Sequence, residues 1–344
     1  MAKYTVNGYL NRLREQQRPA LSLGDTGDRG AWLSRQRALR EAFIRALGPM
    51  PEPAALEPRV LEEAEMPGYR RLTVELTETE GLVMPCYVLI PEGIGPGERR
   101  AAVVAVPGHG SGMREAMGLD EAGRPAADAG YQKRFPEALC RRGFVVIVPE
   151  LLGFGQRRWE GDEAKPLNHS ACHQISTALW MYGQTMAGMR VFDVKRCLDY
   201  LATLPFVDAG RMGAMGISGG GLAAGFAAMV DDRIRAICVS GYFNTFAGSV
   251  LNVFHCVDNY LYGIMQTAEL PDLACLIAPR PLVMECGRQD PIFPFAASEA
   301  CYRQLEQAYR MLGCPERLAM DAFDGDHQIS GRISYDFLAQ YLMD

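Results

Sequence analysis

Apolar residues along the chain change their spacing near residue 100. Before that point they recur at helical or alternating positions. Beyond it they come in short unbroken runs divided by helical stretches. Two helices are expected at about 4–17 and 30–47, separated by the turn-forming link 22–27. In the second, Trp32, Leu33, Leu39, Phe43, Ile44 and Leu47 share helical spacing, with arginines between them. That is the pattern of an amphipathic helix that caps a larger body. A link containing Pro51, Pro53 and Pro58 then leads into two expected strands at 69–78 and 82–89. Thr79, Glu80 and Gly81 supply a hairpin turn between them.

From residue 101 the rule is different. The runs at 101–106 and 144–148 are apolar throughout, as strands covered on both faces must be, and those at 234–240 and 281–286, each with one charged residue, read as two more buried strands. A further strand is expected at 317–323. Helical patterns at 135–142, 189–204, 296–312 and 333–342 separate or follow these strands. Strand–helix alternation of this kind predicts an α/β protein with a doubly wound, mostly parallel sheet and helices on both faces. The domain reading is a helical N-terminal extension over 1–68, packed on a main domain over 69–344. Two stretches, 156–185 and 242–276, break the alternation and are rich in aromatics, Met, Cys and His. Both follow a strand on the side where open α/β sheets bind ligands, so they are expected to act as pocket walls or a lid.

Composition narrows the classes. With 344 residues and 48% hydrophobic content, the chain can bury a large core. A net charge of −6 without a basic stripe argues against a nucleic-acid partner. The ten cysteines are scattered, with no C-x-x-C pair, which suits reduced thiols in a cytosolic setting. No signal-peptide core and no apolar run of about 18 residues is present, so the expectation is a soluble cytoplasmic protein without a membrane partner. A homo-oligomer is compatible with the sequence.

The chemistry centres on Gly216-Ile217-Ser218-Gly219-Gly220, which lies between an apolar run and an Ala-rich helical stretch. Glycines around a serine at a strand-to-helix turn allow a bend too tight for side chains, and leave the serine oxygen clear at the strand's end. A serine needs a base, and the base needs an orienting acid. Asp290 follows the 281–286 run in a turn, and His327 follows the 317–323 strand as the only histidine downstream of Asp290. Ser218, Asp290 and His327 thus stand in the order nucleophile, acid, base. For the oxyanion, the amide of Gly219 is one expected donor. The loop Pro107-Gly108-His109-Gly110 supplies the other, His109 first and Gly110 second. The His109 side chain is expected to be incidental to the oxyanion hole and is a candidate for lining the pocket. Glu150, His169, His173 and His255 are candidate pocket residues. The i, i+4 spacing of His169 and His173 is a metal-ligand spacing, but no third ligand stands nearby, so no metal and no cofactor are expected.

With these residues in place, the chain over roughly 70–344 resembles the α/β-hydrolase superfamily, in its dienelactone-hydrolase-like and acetyl-xylan-esterase-like branch. The segments that carry the likeness are 148–158, 207–221, 272–281 and 287–294. The resemblance implies Ser218, Asp290 and His327 as a triad, and His109 and Gly219 as the oxyanion hole. Relatives commonly show His-Gly-x in the first oxyanion loop, whereas this chain has Pro107-Gly108-His109. The expected activity is a serine hydrolase of small carboxylic esters, first an acetyl esterase on a carbohydrate or similar polyol. A dienelactone-type lactonase and a prolyl-oligopeptidase-like peptidase use the same machinery, although residues 1–100 are too short for the peptidase's propeller. A binding protein on a hydrolase scaffold is the non-enzymatic alternative.

Overall fold

A computed structural model describes residues 5–24 and 28–344. The first residue of the expected 4–17 helix and the last three of the 22–27 link lie outside them. Among the described residues, nine strands form one sheet: β1 (Arg59–Met66), β2 (Tyr69–Thr79), β3 (Leu82–Pro91), β4 (Arg100–Val106), β5 (Val145–Pro149), β6 (Val207–Ile217), β7 (Ile234–Ser240), β8 (Leu282–Gly287) and β9 (Leu318–Phe323). Their order across the sheet is β1-β2-β3-β5-β4-β6-β7-β8-β9. The pairings β1–β2, β2–β3 and β3–β5 are antiparallel, and every pairing from β5 through β4 to β9 is parallel.

The apolar runs behave as strands buried on both faces. Along β4, Ala102, Val104 and Val106 enter one core, while Ala101, Val103 and Ala105 enter the other. Side chains alternate between faces with period two, so only a run without polar residues can satisfy both layers. One core is covered by the helices Arg29–Leu47, Met186–Thr203 and Gly219–Val230. The other is covered by Phe135–Arg141 and Ser334–Leu342.

Strand β1 was not expected, and its composition explains why. It is an edge strand, mostly exposed, and carries Arg59, Glu62, Glu63 and Glu65. Charges on an edge prevent pairing with other chains and erase the hydrophobic alternation that marks a strand in sequence. Cross-strand ion pairs Arg59–Glu75 and Arg70–Glu63 join it to β2.

The helix Arg29–Leu47 begins at Asp28, whose carboxylate accepts from the Ala31 amide at 2.9 Å. It buries Trp32, Leu39, Phe43 and Leu47, whereas Ile44 is 45% exposed. Phe43 meets Phe226 of the helix Gly219–Val230 edge to face at 5.0 Å. Gln36 donates to the carbonyls of Cys275 and Ala278 at 2.8 and 3.2 Å. The N-terminal helix therefore supports the helix that follows Ser218. None of the helices among the described residues is long and apolar enough to cross a membrane.

Because β4, β5, β6, β7, β8 and β9 are parallel, their carboxyl ends share one edge of the sheet. Every residue singled out for chemistry lies just past one of these ends or in a segment that follows one.

Candidate active site

Ser218 sits between β6 and the helix Gly219–Val230 with φ +57° and ψ −124°. Such a conformation is strained for a side-chain-bearing residue and is held only because its surroundings leave no alternative. Two glycines supply the room. A Cβ at Gly216 would lie 2.2 Å from the Gly220 carbonyl oxygen, and a Cβ at Gly220 would lie 2.1 Å from that of Val106. The second contact presses the elbow against the end of β4, which brings the Pro107–Gly110 loop beside the serine.

Asp290 and His327 meet across the ends of β8 and β9. Nδ1 of His327 lies 2.8 Å from Oδ2 of Asp290. The other carboxylate oxygen accepts from the amides of Ile292 and Phe293 at 2.8 and 2.9 Å, which fixes the carboxylate's plane. The imidazole is stacked between Tyr131 and Phe293, at centroid distances of 5.6 and 5.5 Å. Its Nε2 is buried and has no hydrogen-bond partner. Glu285 on β8 accepts from the amides of Ser330 and Gly331 at 3.1 and 2.9 Å, pinning the loop that presents His327.

Ser218, Gly219, His109 and His327 line one cavity of about 300 Å³, together with Tyr131, Phe254, His255, Cys256, Asn259, Ile292 and Phe293. A larger hollow of about 540 Å³ lies elsewhere, against Arg45, Trp180, Tyr260 and Tyr262, and holds neither a histidine nor a cysteine. The candidate residues line the smaller space. In the 107–110 loop, the Gly108 amide donates to Gln132 at 3.1 Å and is thereby taken. Tyr131 donates to the His109 carbonyl at 2.6 Å and fixes the peptide that follows.

The His109 side chain lines the cavity. Its ring lies directly over Gly219, where a Cβ would come within 2.7 Å of Nδ1. Nε2 lies 3.0 Å from Oδ2 of the buried Asp258. Burial pulls the imidazole's pKa down, but the Asp258 carboxylate outweighs it and holds the group up at about 9. Asp258 also pairs with Arg190, which is fully buried and lies 2.9 Å from Cys172 Sγ. The Cys172 thiol is lowered to about 4, by a hydrogen bond from Cys256 and then, against the opposing effect of burial, by the Arg190 charge.

The remaining pocket candidates divide. His255 lines the cavity beside Phe293, and burial lowers its pKa. Ser249 donates to the Ile292 carbonyl at 2.7 Å, so its oxygen is left to accept from Nε2 of His255 at 2.8 Å. Glu150, His169 and His173 do not line the cavity. Glu150 lies beneath the loops instead, accepting from the amides of Met113 and Gln156 at 2.9 and 3.4 Å. Arg157 pairs with Glu78 and Asp193 rather than with the Glu150 carboxylate. His169 precedes the helix Cys172–Met181 while His173 lies within it, so they do not share a helical face. His169 faces Lys165 and Asp162 at the surface, and His173 is exposed. Of the two irregular stretches, 242–276 lines the cavity with Phe254, His255, Cys256 and Asn259, and no residue of 156–185 does.

Sequence reasoning missed the two rings that sandwich His327, and it missed the Arg190–Asp258 pair. Phe293 stood in a segment quoted for its likeness, but Tyr131 and Arg190 carry no local signal.

A crystal structure from Bacteroides fragilis, provisionally assigned as an acetyl xylan esterase, superposes over 97% of this chain and 89% of its own with a TM-score of 0.78 at 14% identity. The chain has the α/β-hydrolase fold. A glucuronoyl esterase from Solibacter usitatus matches this fold over 96% of this chain and 98% of its own, with a TM-score of 0.64 at 16% identity. In sequence, the chain is 27% identical to YtaP of Bacillus subtilis, a provisionally named hydrolase, over 80% of this chain and 89% of that protein. An uncharacterized Escherichia coli protein, YcjY, is 30% identical over 53% of this chain and 51% of its own. No protein-family model matches the chain.

Proposed function

We propose that the protein is a serine-dependent hydrolase of small carboxylic esters, acting first on acetyl groups carried by a carbohydrate or similar polyol. The observation that carries the reading is the Asp290–His327 pair, whose unpartnered Nε2 shares a small cavity with the strained Ser218. In this reading Ser218 attacks the ester carbonyl, and His327 takes the serine proton and returns it to the leaving alcohol. Asp290 holds the tautomer that keeps Nδ1–H directed at itself, and it stabilises the imidazolium that forms. The amides of Gly219 and His109 receive the oxyanion, with Gly110 as the second choice for the latter. The acetyl and carbohydrate assignment draws on neighbours of the same fold that are described as acetyl xylan and glucuronoyl esterases. No step in this sequence requires a metal or an organic cofactor.

The test is covalent labelling together with turnover. A fluorophosphonate probe is expected to modify Ser218 in the wild type. Ser218→Ala is expected to lose the label and to lower kcat on acetylated sugars by at least about a thousandfold. Folded wild-type protein that takes no label would favour a binding protein on a hydrolase scaffold.

A further inference from the structure

Four side chains from three separate stretches converge beside the 107–110 loop: His109, Cys172, Cys256 and Asp258. One ligand atom from each lies within 4.8 Å of every other. We propose that they form a binding site for a single divalent transition-metal ion, zinc foremost, that ties the oxyanion loop to the cavity wall.

The donor set selects the metal class. Two sulfurs, one imidazole and one carboxylate suit zinc, whereas magnesium and calcium take oxygen ligands. In a tetrahedral zinc site, with bonds of about 2.0–2.3 Å, neighbouring donors stand roughly 3.3–3.8 Å apart. The present spacing closes onto such an ion with side-chain shifts on the order of 1 Å. His109 Nε2 is buried and makes no proper hydrogen bond, although Oδ2 of Asp258 is only 3.0 Å away. The ring nitrogen is thus paired in charge with Asp258 and left without a hydrogen bond.

The outer partners fit as well. Asp258 Oδ1 accepts from Asn259 Nδ2 at 2.7 Å, which orients the carboxylate. Arg190 lies 2.9 Å from Cys172 Sγ and pairs with Asp258, anchored from behind by the Leu152 carbonyl at 3.1 Å. Two thiolates and a carboxylate around a divalent ion leave one net negative charge, and the Arg190 guanidinium cancels it. A buried arginine beside a cysteine is thus the compensating charge for this site rather than a rival occupant. His109 and Cys256 also line the active-site cavity, which supplies an entry path for the ion.

All four positions of the ion are filled by protein, so the site is structural. It joins the loop after β4, the start of the helix Cys172–Met181 and the 256–258 segment, none of which is linked to the others by sheet hydrogen bonds. Its existence does not depend on ester hydrolysis, and its test reads metal directly.

Tag-free protein grown with zinc, passed over chelating resin and gel-filtered, is expected to retain about one zinc per chain by elemental analysis. Cobalt substitution is expected to give tetrahedral visible bands and a near-ultraviolet thiolate-to-cobalt band. Cys172→Ser and Cys256→Ser should each lose that band and lower zinc retention at least about tenfold, while Cys314→Ser, elsewhere in the fold, keeps both. The wild-type cobalt spectrum remains decisive if a serine variant fails to fold. Wild-type protein without stoichiometric zinc or a thiolate band overturns the proposal. So does an unchanged band in Cys256→Ser, or metal-free protein showing two fewer thiols than the ten in the chain because the pair has closed as a disulfide.

Discussion

At the scale of single residues, the site depends on atoms with one available partner. Asp290 spends one oxygen on His327 and the other on two backbone amides. Asparagine at 290 keeps the amide bonds but turns an NH₂ group toward the imidazole. That forces Nδ1 to accept and leaves a proton on Nε2, the atom that takes the serine proton in the proposed reaction. Asp290→Asn is therefore expected to leave the fold and KM nearly unchanged and to lower kcat by roughly 10⁴-fold, a magnitude known from triad aspartates in general. Steady-state kinetics beside a thermal melt checks this, and an equal loss in Tm would point to a structural role instead. Glycines offer a second contrast. A Cβ at Gly220 meets backbone oxygens of Val106 and Pro107 at 2.1 and 2.5 Å, neither of which can move away. A Cβ at Gly81 meets nothing within 4 Å, and the only penalty is its φ of +77°. Gly220→Ala should lose about 3 kcal/mol or more, and Gly81→Ala roughly 1–2 kcal/mol. Chemical denaturation of the two variants separates crowding from backbone strain.

At the scale of elements, the loops that build the site are held by buried charges under them. Glu150, at the end of β5, holds the loops at Met113 and Gln156 through their amides. Burial raises its pKa from 4.5 to about 7, with the two amide bonds, Arg157 and Arg114 opposing. The folded protein therefore binds this proton more tightly than the unfolded chain does. Its contribution to stability is complete below about pH 4.5 and is lost as the pH rises through about 7. Glu150→Gln removes that titration. The Tm of the wild type minus that of the variant is expected to fall between pH 5 and pH 8 and to level off on either side. A difference that stays flat across this range would refute the burial argument. The presence of a strand was readable at this scale wherever it was apolar on both faces. It was not readable at β1, because a charged edge strand looks like a linker until its partner β2 is known.

At the scale of the molecule, parallel strand order collects residues separated by more than two hundred positions. The cavity of about 300 Å³ receives walls from the loops after β4, β7, β8 and β9, with Phe254, Ile292 and Phe293 among its lining. In the proposed reaction a space of this size favours a short acyl group. On p-nitrophenyl esters, kcat/KM is expected to drop at least about tenfold from acetate to octanoate. Comparable rates on the two would mean that the 242–276 wall moves aside during turnover.

The sequence by itself determined the fold class and the chemical alphabet of the site. Local patterns carry both: unbroken apolar runs mark the strands of the parallel sheet, and glycines mark the bend at Ser218. The positions of Asp290 and His327 just past strands made their pairing an expectation, because parallel strands end on one edge. Only the tertiary structure decided which side chains touch. It moved Glu150, His169 and His173 away from the cavity, placed Tyr131 and Phe293 against His327, and gathered His109, Cys172, Cys256 and Asp258 around one point. Those contacts join residues far apart in the chain, through loops whose course has no periodic signal, and packing alone settles where such loops go.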